Sequence, residues 1–232
     1  MFKNKGDEVA TSAMAGSKAE RTRASIREVA LRSFRENGFD ATTMRSIADE
    51  AGVSLGNAYY YFPTKNHLVQ ELYLEVQEAH REAAGPLLAS ADDLVERVGI
   101  VFRTGLAVLA PFHAFAPGFL AAMVSPDSPL NPLSPDSAPA RDITIGIFRD
   151  ALAGAKKSLP AEFLPRMPTT LWLAYLLLAL YWTYDRSDGQ RRTQRLLDQG
   201  LGLLRLALPL TRMPVLRLPL RSLFDLVAEA GA

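Results

Sequence analysis

Apolar residues recur along this chain at three- and four-residue spacing, the period of a helix with one buried face, and no run alternates convincingly with the period of a strand. The first stripe is Ile26, Val29, Ala30 and Phe34; Ser17, Lys18, Ala19 and Glu20 fit a capping box that opens its helix, and Asn37-Gly38 ends it. Met44, Ile47, Ala48 and Ala51 form a second, shorter stripe. A helix over about 65–84 turns Leu68, Leu72, Tyr73 and Val76 inward, with its break at Gly85-Pro86 or at the nearby Ser90-Ala91-Asp92-Asp93. The next, over about 92–109, carries Leu94, Val98, Val101, Phe102 and Leu106. Pro111 and Pro117 interrupt the aromatic segment 112–124, and five prolines in 125–139 predict a loop of uncommon length. Ile143, Ile147, Phe148 and Leu152 then mark a helix over 140–155, and Pro168 introduces an apolar helix ending at Tyr184. Ser187 and Gln190 fit another capping box, before a helix to about Leu208. Pro209, Pro214 and Pro219 break the tail, and a last short helix is expected over 220–230.

The stretch 42–65, TTMRSIADEAGVSLGNAYYYFPTK, carries the most specific signal. Thr43 can cap the helix of the second stripe, Gly52 stands where the chain must turn with positive φ, and Ser54 can cap a second helix. On that helix Ala58, Tyr61 and Phe62 share one face, while Gly56, Asn57, Tyr59 and Tyr60 point elsewhere. Two short helices joined by a tight turn, the second polar and aromatic, form the pattern of a helix-turn-helix that enters the major groove. Asn57 on the outer face can donate to and accept from adenine, and Leu55 can touch a thymine methyl. Tyr59 and Tyr60 either reach DNA or pack between helices; Tyr61 and Phe62 belong to the core.

These residues, together with Ala30, Phe34, Gly38, Phe39 and Thr42 upstream and Lys65 downstream, resemble the TetR family of bacterial transcriptional regulators. The resemblance covers about 21–72 in one register. Two positions depart from it: Leu55 stands where members often carry a basic residue, and Tyr60 where many carry histidine. The resemblance implies that Arg45, Leu55, Asn57 and Tyr59 face bases and that Thr43, Ser54, Tyr60 and Lys65 face phosphates. It further implies a ligand cavity in the C-terminal domain and a dimer built from the last two long helices. The expected protein is then all-α: a disordered arm over 1–16, a three-helix helix-turn-helix DNA-binding head over 17–64, and a helical ligand-binding and dimerisation bundle over 65–232. Its expected function is that of a ligand-responsive regulator, a repressor by family habit. It would hold a palindromic operator as a homodimer and be released by a lipophilic molecule.

Composition narrows the alternatives. A formal net charge of +1 announces no nucleic-acid binder, but its distribution does: 1–35 holds eight Lys or Arg against four acids, whereas 66–90 holds four Glu and one Arg. With no cysteine there is no disulfide framework and no thiolate metal site, which agrees with a reducing cytoplasm. Residues 1–16 lack the pattern of a signal peptide, and the apolar run 171–184 is short and aromatic for a membrane span of about 20 residues. No metal site is expected from His67, His80 and His113, which follow no ligand spacing, and no cofactor is expected. His67 fits a helix start, His80 a solvated face; His113 either lines a cavity or is packed and satisfied.

The aromatic group exceeds what a regular bundle requires. Phe102, Leu106, Phe112, His113, Phe115, Phe119, Met123, Trp172 and Tyr175 are the candidate pocket residues, with core packing as the alternative, and no Arg or Lys stands among them to pair an anion. Trp182, Leu196, Gly200, Leu204 and Leu208 are the candidate dimer residues, because a helix apolar all round must be covered on every side. An enzyme is the rival class, but no nucleophile elbow, phosphate loop or carboxylate pair is legible. A helical adaptor that keeps the head only as a fold is the third reading.

Overall fold

A computed structural model describes residues 5–126 and 128–213, with single positions beyond. All regular structure among the described residues is helical: α1 Lys5–Asn37, α2 Met44–Glu50, α3 Leu55–Tyr61, α4 Lys65–Ser90, α5 Leu94–Leu109, α6 Ala116–Val124, α7 Ala138–Ala153, α8 Met167–Tyr184 and α9 Arg191–Ala207, with short 3-10 turns between some of them. The expected helix over 220–230 lies outside the described residues apart from Ser222 and Leu226, which are helical and exposed. The chain divides into two compact units, Met1–Leu72 and Tyr73–Ala232, so the boundary falls inside α4 and not at 64.

In the first unit, Ile26, Val29, Ala30 and Phe34 of α1 pack with Ile47, Ala48, Ala58 and Phe62 in one buried core. Burying an aliphatic or aromatic side chain contributes roughly 1.5–3 kcal/mol, so these residues hold α2 and α3, two seven-residue helices that could not persist alone, against α1. Gly38 (φ 83) and Gly52 (φ 67) make the two turns whose left-handed backbone favours glycine. Arg32 of α1 pairs with Glu50 at the end of α2 (2.7 Å), and Arg23 pairs with Glu71. One expectation changes: α1 begins at Lys5, upstream of the anticipated capping box, so Ser17 lies inside the helix. The segment 5–16 contains Ala10, Ala13 and Ala15, the strongest helix former, beside Gly6 and Gly16, which disfavour a helix.

The second unit is a bundle in which α7 packs on both α5 and α8, and α9 packs on α5 and α8. Its core includes Val98, Val101, Phe102, Ile147, Phe148, Phe163, Trp172, Tyr175, Leu178 and Leu197. α4 continues through Pro86 and stops at Ser90, so the second of the two anticipated breaks is the real one. Asp93 then caps α5, its carboxylate accepting from the Glu96 N–H at 3.0 Å.

Arg97 on α5 is buried and has no carboxylate partner in the bonds its guanidinium makes. It donates to the carbonyls of Ala91 (2.7 Å), Leu88, Ala151 (2.6 Å) and Asp150 (2.8 Å). Those oxygens belong to the C-terminal ends of α4 and α7, where helices run out of internal donors and carry partial negative charge. Gly154 leaves the guanidinium its room: a Cβ there would stand 2.1 Å from Arg97 Nη2.

The 125–139 loop is fastened internally. Leu130 is buried, Ser137 donates to the Pro129 carbonyl (3.1 Å), and Arg141 Nη1 donates to the carbonyls of Pro132 (2.9 Å) and Ser134 (3.1 Å). Before α9 the anticipated capping box does not form, because Gly189 (φ 57) and Gln190 (φ 51) are left-handed and Gln190 becomes the N-cap. Asp185 does the anchoring instead, accepting from the N–H and hydroxyl of Thr193 (2.8 Å each) and from Ser187. Burial pushes its carboxyl up, but these four hydrogen bonds outweigh that and hold it well below the usual carboxylate range.

Candidate functional site

The helix-turn-helix is assembled by reciprocal caps. Thr43 Oγ1 accepts from the Ser46 N–H at 3.0 Å while Ser46 Oγ accepts from the Thr43 N–H at 3.1 Å. Ser54 Oγ accepts from the Asn57 N–H at 3.2 Å and starts α3. Ala58 and Phe62 anchor α3 from its buried side. The opposite side presents Asn57, Tyr59 and Tyr60, the last 80% exposed, and Leu55 is half-buried at the helix start. Thr43, Arg45 and Ser54 are exposed beside them. Tyr60 packs edge-on to Tyr61 (5.2 Å), which is half-buried and so less enclosed than expected, whereas Phe62 is core.

Lys65 is placed differently from the other candidates. Its ammonium donates to the carbonyls of Thr42 (2.9 Å) and Phe39 and lies 4.0 Å from the Phe39 ring centroid. Partial burial lowers its pKa, with Asp40 opposing. The side chain therefore clamps the corner that leads into α2, and its anticipated phosphate-facing position is occupied by protein acceptors. His67 matches its helix-start reading, with Nδ1 2.8 Å from Thr64 Oγ1.

In the second unit the candidate pocket residues separate into two groups. Phe102, Trp172 and Tyr175 are core: Phe102 stacks edge-on with Phe148 (5.2 Å) and Tyr175 (6.1 Å). This ring packing places Phe102 in the core, and Trp172 and Tyr175 are buried beside it. Phe112, Phe115 and Phe119 form a second edge-to-face series at 5.8 and 6.0 Å, and Met123 is half-buried nearby in sequence. His113 is packed and satisfied, its Nε2 2.9 Å from the Trp182 carbonyl and its ring edge-on to the Trp182 indole at 4.6 Å. A cleft of about 350 Å³ lies between α5 and α9, lined by Leu106, Ala110, Trp182, Thr193 and Leu197 with the Arg103–Asp198 pair. Of the anticipated pocket residues, Leu106 lines it.

His80 corrects the expectation of a solvated face. It is wholly buried, with Nε2 2.9 Å from the Val101 carbonyl, and burial drives its pKa down to about 4 despite that hydrogen bond. Beside it, Thr144 donates to Gln77 Oε1 at 2.7 Å. Both side chains are buried, and no apolar stripe in the sequence announces them.

The dimer candidates also redistribute. Trp182 is buried within its own chain, and Leu204 and Leu208 pack against that chain's core. Leu196 and Gly200 are exposed as anticipated. Leu177 and Leu203 (68% exposed each), Leu206, Tyr181 and Tyr184 are exposed as well, though none of them is among the dimer candidates. Together they leave an apolar face on α8 and another on α9.

Comparison with known proteins follows this division of the chain. Residues 97–229 match the model described as "Tetracyclin repressor-like, C-terminal domain", and 26–72 match "Bacterial regulatory proteins, tetR family". The chain belongs to the TetR family. It is 37% identical over 90 residues to the HTH-type transcriptional regulator TtgR of Pseudomonas putida, a stretch covering 39% of this chain and 42% of that protein. It is 44% identical over 92 residues to the HTH-type transcriptional repressor KstR2 of Mycobacterium tuberculosis, covering 40% and 46%. Both matches thus span less than half the length of the relative. Thermus thermophilus FadR, a TetR-family repressor solved in complex with lauroyl-CoA, superposes with a TM-score of 0.56 at 26% identity, covering 77% of this chain and 94% of that one. This TetR-family protein is therefore a transcriptional regulator by family, with an N-terminal helix-turn-helix followed by a larger helical domain. No helix among the described residues is long and apolar enough to cross a membrane.

Proposed function

We propose that the protein is a cytoplasmic repressor, not an enzyme, that grips a near-palindromic operator as a two-fold homodimer and lets go when a small lipophilic molecule binds the second unit. The observation that carries the DNA part is α3, whose exposed Asn57, Tyr59 and Tyr60 stand on a helix fixed from behind by Ala58 and Phe62. Base-edge hydrogen bonds from Asn57 would specify sequence, while Thr43, Ser54 and Tyr60 would hold phosphates and set register. KstR2 and FadR are transcriptional repressors, and FadR's complex with lauroyl-CoA supports a lipophilic ligand here. A ligand shifts DNA affinity only through its different affinities for the DNA-bound and free states.

The dimer part rests on Leu177, Tyr181, Tyr184, Leu196, Leu203 and Leu206, exposed on the last two long helices. A second copy of this chain covers them, and Gly200 in the same face permits close approach of two backbones. A two-fold pair sets its two recognition helices in major grooves about 34–36 Å apart or a multiple of that. The test is a mobility shift with DNA from upstream of the protein's own gene. Tight binding to one near-palindromic segment and weak binding to random DNA is expected; equal retention of both would reject the proposal.

A further inference from the structure

The interior of the second unit contains polar groups that its core does not use. Trp172 is wholly buried and Tyr175 almost so; the Tyr175 hydroxyl makes no hydrogen bond with the protein, and the Trp172 indole N–H has only the Tyr73 hydroxyl within reach. Leaving a buried polar group unpaired costs roughly 1–3 kcal/mol, so an unpaired hydroxyl one turn from an indole N–H with a single weak neighbour calls for an occupant. Tyr73 of α4 adds its hydroxyl: it lies close enough to Trp172 and Tyr175 to interact with both, and burial pushes its pKa up to about 12. Arg141 of α7 completes the group, its guanidinium carbon 6.0 Å from the Trp172 ring centroid. That cation binds two loop carbonyls and has no carboxylate partner among the described residues.

We propose that Tyr73, Arg141, Trp172 and Tyr175 form the head-group site for an organic carboxylate with an apolar body. Two hydroxyls, an indole N–H and one guanidinium lie together on α4, α7 and α8, whereas the group offers no anionic side chain. An oxygen acceptor satisfies the donors, and a negative charge satisfies Arg141; a carboxylate supplies both. Charge-assisted bonds of this kind are about twice as strong as neutral ones. The neighbouring rings of Phe102 and Phe148 supply the apolar surroundings. The neighbouring polar chain of Thr144, Gln77 and His80 does not compete, because its members already have protein partners. Gly105 belongs to the design as well: a Cβ there would lie 2.7 Å from the Tyr175 hydroxyl. The inference rests on the proposal that this unit takes a small-molecule ligand, and it adds the chemical class of the head.

Calorimetric titration of the full-length protein with decanoate and with its neutral isostere decanamide tests it. Decanoate should bind at least about tenfold more tightly than decanamide. Arg141→Met should abolish that preference, and Arg141→Lys should restore part of it. Because Arg141 also holds the loop, Tyr175→Phe is the independent variant: it should weaken decanoate about five- to tenfold while leaving the ligand-free melting temperature unchanged or higher. Equal affinity for acid and amide, no binding of decanoate at millimolar concentration, or a Tyr175→Phe protein that binds decanoate undiminished would overturn the inference. The last result would mean that water alone satisfies the donors. Operator release measured with the same compounds separates the two proposals. Release by the amide without acid preference removes the carboxylate site and keeps the response. Tight decanoate binding without release does the reverse.

Discussion

At the scale of single residues, Asn57 and Lys65 are candidate DNA contacts that the structure treats in opposite ways. Asn57 is exposed and its side chain is uncommitted, so Asn57→Ala should cost roughly 1–3 kcal/mol on the operator and little on random DNA. Lys65 already serves two carbonyls and an aromatic ring. If it remains so engaged on DNA, Lys65→Met should lower the melting temperature of the head and leave the salt dependence of binding unchanged. A slope reduced by about one would show that it releases its clamp to hold a phosphate. No sequence pattern distinguishes these roles, because the acceptors are backbone carbonyls of Phe39 and Thr42, about two dozen residues earlier. His80 illustrates the same limit: it looks like one polar position on a solvated face until α5 is seen to cover it. Its folded pKa of about 4 lies below the ordinary 6.5, so the unfolded chain binds more protons between those values. Stability contributed by the neutral ring is therefore complete above about pH 6.5 and is lost as pH falls, by on the order of 3 kcal/mol near pH 4. Urea unfolding at pH 7 and pH 5 should show the decline, and His80→Gln should flatten it.

Elements were legible where local chemistry decides them. The caps at Thr43 and Ser54, the turn glycines at 38 and 52, and the buried stripes of α1 and α2 all follow from side chains close in sequence. Boundaries failed where distant contacts decide. Pro86 stays within α4 although its ring disfavours a helix interior, and α4 then ends where Arg97 collects its last carbonyls. That arrangement is testable as a unit. Arg97→Met leaves four carbonyls without their donors and should destabilise the second unit by about 3 kcal/mol. Gly154→Ala drives a methyl into the guanidinium and should cost about 2 kcal/mol. In the double variant the collision disappears, so the combined loss should fall clearly short of the sum. Strict additivity in chemical denaturation would show that the two positions act separately.

For the whole molecule, the sequence indicated that α8 is too apolar for one chain to cover, but not which side remains open. The reason is geometric: Trp182, Leu204 and Leu208 are as apolar as Leu177 and Leu203, and only their packing sends the first three inward. Leu203→Glu should therefore separate the copies while the fold survives, since the substituted position is solvent-facing in a single chain. Sedimentation should give a monomer, and operator affinity should fall by orders of magnitude, because a tethered second head binds at high effective concentration. A Leu203→Glu protein that sediments as a dimer would move the interface elsewhere.

The uncovered faces of α8 and α9 also bear on how the protein reads its own abundance. When most chains are single, operator occupancy rises with the square of their concentration, because two must meet before either holds DNA firmly. A cell that halves its supply of this regulator would then lose about three-quarters of its bound operators in that dilute regime. Gene dosage, dilution at division and slow synthesis would thus act on transcription alongside any small molecule.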